Sequence, residues 1–502
     1  MTTAAEAAQP VSPLGSDTLA DSALILLALL FVQRLVGLVR AMFFCRWLSP
    51  EALGQWDMAF GFLMLAGPAS VLALSSGLGR YVEHYRRQGQ VRTLLVRVGA
   101  GCIALGGAAA SLLAAMPATV SQWVFNTPEE SGLAMLLAPA LISVVAFNYF
   151  VDLFTALRHA KALAMLQATA GLLFASLGIG LLALWHTSAG SVIVAYTVAN
   201  GAAVVLAWTW LARRWRFLPN AGFPLAHREL WGKLVPYTAA IWLGSLLANL
   251  FELTDRTLIV HYLPGSASTN LALAGQYHSA RVLPLLLVSM ASVVGPLLTP
   301  HMSYDWEAGR HQQAGVRLNL FLKLMGLLML TGGAAVLLAA PVIFRTAFQG
   351  KFDAGQHLLP GTLLYCTWFG MLLFLQNYLC CAEKPRLGSM ALAAALGIDV
   401  ALNLALLPAL GLAGAVVARC LANLVGLALV LGFSYRLGYR PDRGVWMVLC
   451  APVLFLLGPV ATLVVVAGLA LGGATRHVLF SPDEKRQIAQ SCARYLELIT
   501  LR

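Results

Sequence analysis

Five arginines of the 502-residue chain fall inside apolar runs, where no water solvates a cation: Arg34, Arg40, Arg256, Arg281 and Arg419. Five acids share that setting, namely Asp57, Asp152, Glu252, Asp255 and Asp399. A charge at bilayer depth costs at least about 2.5 kcal/mol on insertion scales, so each of these groups is expected to face a partner or a polar cavity. Fixed guanidinium groups in a cavity suit phosphate, which they hold through bidentate, charge-assisted hydrogen bonds. A path for organic cations would present chiefly acids instead.

Several of these charges have ordinary explanations. Glu252 and Arg256 are four residues apart in the favourable orientation and can neutralise each other on one helix face. Arg40 lies near the end of its run and can snorkel, and Asp57 falls at a helix start, where it complements the dipole. Arg34 is harder to dismiss, because it lies near the middle of the first run, beside Gln33, with no acid three or four positions away. Asn148 with Asp152, Asp399 with Asn403, and Arg419 with Asn423 repeat the four-residue spacing, which serves interhelical bonding or cavity lining equally well. The resulting candidates are Arg34, Arg256, Arg281 and Arg419 for an anionic substrate, and Asp152, Glu252, Asp255 and Asp399 for a coupling ion.

These residues must be positioned by membrane helices. The chain is 59% hydrophobic and 11% charged, against roughly 25% charged for soluble domains. Runs long enough for about 30 Å of hydrocarbon recur throughout. Helices are expected near 21–44, 55–79, 94–118, 133–157, 162–185, 191–212, 234–262, 273–298, 319–345, 358–382, 387–408 and 412–437. Twenty Lys and Arg residues then fall in one set of alternate connections, among them Arg87, Lys161, Arg214, Lys323 and Arg440. The opposite set holds three, Arg46, Arg345 and Lys351. The positive-inside rule makes the first set cytoplasmic, so the net charge of +12 reflects topology and calls for no nucleic acid.

A last apolar stretch, 445–473, is interrupted by Gly458 and Pro459 and followed by a basic tail. A cytoplasmic tail requires two short crossings there, fourteen helices in all, with one long thirteenth helix as the alternative. Ser481, Pro482 and Glu484 form a capping-box start, after which Ile488, Cys492, Tyr495 and Ile499 share one face, as on a membrane-surface helix. The organisation expected is all-α and integral to the membrane: 1–20 a cytoplasmic tail, 21–212 and 234–437 two six-helix lobes in a pseudo-twofold arrangement, 213–233 a cytoplasmic linker, 438–480 a helix pair, and 481–502 an amphipathic tail. The first 20 residues hold no Lys or Arg and do not read as a cleaved signal peptide.

An internal repeat supports the two lobes. Leu53-Gly54-Gln55-Trp56-Asp57-Met58-Ala59 and Ala274-Gly275-Gln276-Tyr277-His278-Ser279-Ala280 are 221 residues apart, and polar stretches 85–90 and 306–311 follow at the same offset. Repeats six helices apart point the same way, related by an axis along the membrane normal, with the substrate path at their interface.

The stretch 34–90 resembles the start of the polysaccharide and O-antigen flippases, of the superfamily that also contains the MATE exporters. The resemblance is carried by Phe43-Phe44-Cys45-Arg46-Trp47-Leu48-Ser49-Pro50-Glu51-Ala52-Leu53-Gly54 and by Ser76-Gly77-Leu78-Gly79-Arg80-Tyr81. Further matches are Asp255-Arg256-Thr257-Leu258-Ile259 with Tyr277, Ala280 and Pro300, and Glu383-Lys384-Pro385 through Asp399, Asn403, Leu407-Pro408 and Gly411-Leu412-Ala413-Gly414-Ala415. It implies 12 or 14 helices, from which the short final pair departs, and an inner-membrane flippase. The substrate implied is a polyprenyl-pyrophosphate-linked oligosaccharide for surface polysaccharide such as O-antigen of lipopolysaccharide or exopolysaccharide, moved by alternating access, with membrane lipids and the polysaccharide polymerase machinery as partners. A peptidoglycan lipid-precursor flippase is the near alternative, and a MATE-like cation antiporter the more distant one.

Enzyme chemistry has little to stand on. The connections 119–132, 186–190, 263–272 and 346–357 are short and carry no paired acids beyond Glu129-Glu130. The ten histidines are scattered, with His261 and His278 the two that could take a proton within the membrane. Six of the eight cysteines lie in apolar runs, without metal-ligand spacing, and read as packing residues. No cofactor or metal is expected.

Overall fold

The computed structural model describes residues 19–218, 226–475, 479–482 and 484–486. They form helices α1 (Leu19–Trp47), α2 (Pro50–Ser70), α3 (Leu78–Arg87), α4 (Val91–Ala115), α5 (Pro117–Phe125), α6 (Ser131–Ala156), α7 (Ala160–Leu184) and α8 (Ala189–Arg214). The order continues with α9 (His227–Tyr262), α10 (Ala267–Glu307), α11 (His311–Val342), α12 (Asp353–Cys381), α13 (Pro385–Leu410), α14 (Leu412–Arg436), α15 (Arg443–Cys450) and α16 (Pro459–Thr475). Among the described residues no strand occurs. All twelve helices expected before residue 437 are present, and α9 begins inside the segment expected as linker. Residues 1–18 of the N-terminal tail and the apolar face expected beyond Glu484 lie outside the described residues.

Among the described residues ten helices, α4 and α6 to α14, are long and apolar enough to cross a membrane, and α2 with α3, bent by 55°, brings the number to eleven if the pair is one span. Fourteen crossings additionally require α1 and both arms of the C-terminal pair. The bend between α2 and α3 departs from the single helix expected over 55–79. Pro68 lies inside the last turn of α2, and Leu72 and Ala73 then adopt positive φ (51° and 50°), a conformation side chains resist.

The chain divides into two compact units. The first comprises Met1–Gly37, Phe62–Gln122 and Pro128–Leu246, and the second Leu38–Gly61, Trp123–Thr127 and Leu247–Arg502. The second therefore contains the start of α2 as well as α10, and there the repeated motifs meet. A Cβ on Gly54 would stand 1.9 Å from the Leu271 carbonyl oxygen, and one on Gly275 would stand 1.9 Å from that of Pro50. Each glycine thus meets the residue four positions before the other, the reciprocity of a local twofold axis relating residues 221 apart. Only glycine lets two helix backbones approach this closely.

The C-terminal stretch folds back on itself. Arg443–Leu457 and α16 are separated by Gly458, at φ +98°, and the Thr462 hydroxyl donates to the Leu454 carbonyl at 3.1 Å. Val448 and Phe455 press on Gly326 and Gly333 of α11, glycines with the same seven-residue spacing. Both ends return to one place: the buried Lys323 ammonium on α11 pairs with Asp442, before the first arm, and with Glu484 (2.8 Å), after the second. The capping box forms as expected, with Glu484 N–H donating to Ser481 Oγ (3.3 Å) and Ser481 N–H to Glu484 Oε2 (2.7 Å). Beside it, burial raises the Tyr439 phenol above its usual range, so it donates as a neutral group to Asn319 Oδ1 (2.5 Å).

Candidate functional site

Within the second unit, α9, α10, α13 and α14 bring six of the expected site residues into one cluster. Glu252 lies ten residues before the end of α9 and Asp399 eleven before the end of α13, while Arg281 and Arg419 lie fourteen and seven residues into α10 and α14. At 1.5 Å per residue that depth is about 10–20 Å from helix ends expected to share the outer face. Membrane-embedded charge at such depth is placed for function or for pairing.

Each arginine pairs with at least one acid. Arg256 Nη1 lies 3.0 Å from Asp57 Oδ1. Arg419 spans two acids, Nη1 at 2.9 Å from Asp399 and Nε at 3.4 Å from Asp255, and its Nη1 also donates to the Phe251 carbonyl, with the guanidinium 3.8 Å from the Phe251 ring centroid. Arg281 Nη2 donates to Glu252 at 2.7 Å. Asp255 and Asp399 are joined by Asn403, whose Nδ2 lies 3.1 Å from one and 3.2 Å from the other, and the Tyr277 hydroxyl donates to Asp255 at 2.6 Å. Buried polar groups need such partners, because an unpaired buried charge is far costlier than a satisfied one.

Glu252 joins the pairs. Its Oε2 lies 2.7 Å from Arg281 Nη2 and 3.8 Å from Arg256 Nη2, and its Oε1 lies 3.5 Å from Arg419 Nη2. Its side chain is 38% exposed, against 2% for those of Arg281 and Arg419, so the carboxylate is the accessible member of a buried set. The adjoining cavity, lined by Phe251, Glu252, Arg281, Tyr365 and Arg419, measures about 10 Å³, at the lower limit for a single water. The simple Glu252–Arg256 neutralisation expected from spacing is therefore the longest contact in the cluster.

The other two expected residues belong to the first unit. Arg34 is exposed on α1 and makes no ion pair among the described residues. Asp152 on α6 accepts from Ser76 at 3.1 Å and lines, with Asn148, Ser75 and Ser245, a cavity of about 160 Å³ beside the bend between α2 and α3. Of the remaining spaced pairs, Asn403 does meet Asp399, whereas Asn423 donates to the backbone carbonyl of Arg419 (2.9 Å).

Asp57 and His278 belong to the cluster although sequence reasoning placed neither in the site. Asp57 is buried within α2, which starts at Pro50 rather than near 55, so it is not a helix-end acid. His278 Nδ1 lies 2.7 Å from its Oδ1. The repeat carried the signal: 57 and 278 are equivalent positions, and the local twofold that crosses the glycines sets these two side chains face to face. Among the described residues no group of His, Cys, Asp and Glu is arranged to hold a metal ion.

The family model described as "Polysaccharide biosynthesis protein" matches residues 19–302. No curated protein matches the chain. Among solved structures, one titled "Lipid II flippase MurJ, inward closed conformation" is similar over 89% of this chain and 98% of its own, with a TM-score of 0.69 at 12% identity. A multidrug resistance MATE family transporter in an inward-facing conformation is similar over 83% and 98%, at 0.59 and 14%. The eukaryotic MATE transporter AtDTX14 is similar over 86% and 96%, at 0.58 and 15%.

Proposed function

Because the chain belongs to the polysaccharide biosynthesis protein family, a family of multi-pass membrane flippases, we propose that it moves a polyprenyl-pyrophosphate-linked oligosaccharide across the inner membrane for surface polysaccharide assembly. The observation that carries this reading is the convergence of Arg256, Arg281 and Arg419 on one accessible carboxylate. Guanidinium groups recognise phosphate by charge and planar geometry together. Arg34, exposed on α1 in the first unit, is a separate candidate cation for the substrate's anionic group. The two halves exchange access by rocking, with Asp152, Glu252, Asp255 and Asp399 as the groups to carry a coupling ion. Polysaccharide polymerase machinery would consume the product on the far side.

A second reading, a flippase of the peptidoglycan lipid precursor, is favoured by the similarity to the lipid II flippase MurJ and by the same demand for diphosphate recognition. Transport of organic cations is the more distant reading: it would use the acids Asp57, Glu252, Asp255 and Asp399, but each of these is held by an arginine. The test is surface display of glycan measured beside membrane abundance. Arg34→Lys keeps the charge and loses the planar fork, so display falls; Arg34→Ala abolishes it at normal abundance. Normal display with Arg34→Ala at normal abundance removes Arg34 from the site.

A further inference from the structure

All three cluster arginines turn the same nitrogen, Nη2, to Glu252, while their other acids take other nitrogens: Asp57 on Nη1 of Arg256, Asp399 and Asp255 on Nη1 and Nε of Arg419. A carboxylate has two oxygens for these three donors. One contact, at 2.7 Å, is a full hydrogen bond, and those at 3.5 and 3.8 Å are too long to be one. Buried donors are also left over. Arg256 Nε and Arg281 Nε have no hydrogen-bond acceptor, a rare condition for buried N–H groups.

We propose that Glu252 is the built-in occupant of an oxyanion site, and that the substrate's phosphate enters by displacing its carboxylate from the three arginines. This rests on the flippase reading and narrows it to recognition of the phosphate at this place. A tetrahedral phosphoryl group offers three oxygens to three donors that a planar carboxylate fills incompletely. Glu252 is suited to leave, since it is the exposed member and sits on a longer stem than an aspartate. Its departure leaves Arg256 and Arg419 paired with Asp57, Asp255 and Asp399, so Arg281, which holds no other acid, carries the exchange. In the resting state the carboxylate keeps Arg281 from standing unpaired in a nonpolar surround, and it excludes weaker anions.

The test measures binding of inorganic pyrophosphate to the purified chain in lipid nanodiscs, at fixed ionic strength. Glu252→Gln keeps the shape and removes the competing charge, and it is expected to bind pyrophosphate at least tenfold more tightly than wild type. Adding Arg281→Lys to that variant is expected to abolish the gain. Binding no tighter in Glu252→Gln, or a gain that survives Arg281→Lys, overturns the proposal. Should Glu252→Gln fail to accumulate, wild type carries the test: pyrophosphate, and not chloride, raises its melting temperature, and Arg281→Lys removes the rise. No such rise overturns the proposal as well. Glycan display separates the two claims: intact display in cells lacking the chain defeats the flippase reading and leaves the anion site standing.

Discussion

Arg419 is the residue whose loss the cluster tolerates least. It holds two fully buried aspartates at once, and removing one partner of a buried pair leaves an uncompensated charge worth about 3–5 kcal/mol. Arg419→Ala is therefore expected to lower membrane abundance and melting temperature sharply, with Arg419→Lys between it and wild type; a melting temperature equal to wild type for Arg419→Ala contradicts the pairing. Much of this was legible in the chain, because ionisable residues inside apolar runs stand out by their cost alone. Six of the eight candidates did converge. What could not be read was partnership. Local spacing suggested that Glu252 neutralises Arg256, whereas Arg256 takes Asp57, 199 positions away. Such pairing is a property of helix packing, not of local sequence.

At the scale of elements, the α2–α10 crossing makes the sharpest prediction. Gly54→Ala and Gly275→Ala each drive a methyl into a carbonyl oxygen at the same 1.9 Å, so the local twofold requires both to disturb this conformation by similar amounts. Melting temperatures should fall together; an effect of one without the other denies the symmetry. The repeat that located these glycines was visible in the sequence, as were the helix positions, since apolar runs bounded by charge and Pro leave little freedom in a membrane. The bend between α2 and α3 was not, because Pro68 alone does not say whether a helix kinks or ends. Nor was the docking of the C-terminal arms on α11, which depends on Gly326 and Gly333 matching Val448 and Phe455. That docking returns Glu484 to Lys323, in the N-terminal half of α11. A reporter fused at Arg502 should accordingly be active only in the cytoplasm. Cysteines placed at Arg87 and Arg214 should be protected from impermeant reagents in intact cells. Labelling of either from outside contradicts the charge-derived topology.

For the whole molecule, a flippase fold carries an arginine cluster at membrane depth, and the proposal to test is that a diphosphate-linked glycan crosses the bilayer through this chain. The most direct measurement places the purified protein in liposomes with a labelled polyprenyl-diphosphate oligosaccharide and follows the fraction of glycan cut by an impermeant glycosidase. The proposal predicts that this fraction rises from the outer-leaflet share towards completion, and that the same glycan on an uncharged polyprenyl carrier stays at the outer-leaflet share. A fraction that never exceeds that share, or that rises equally for the uncharged carrier, contradicts it.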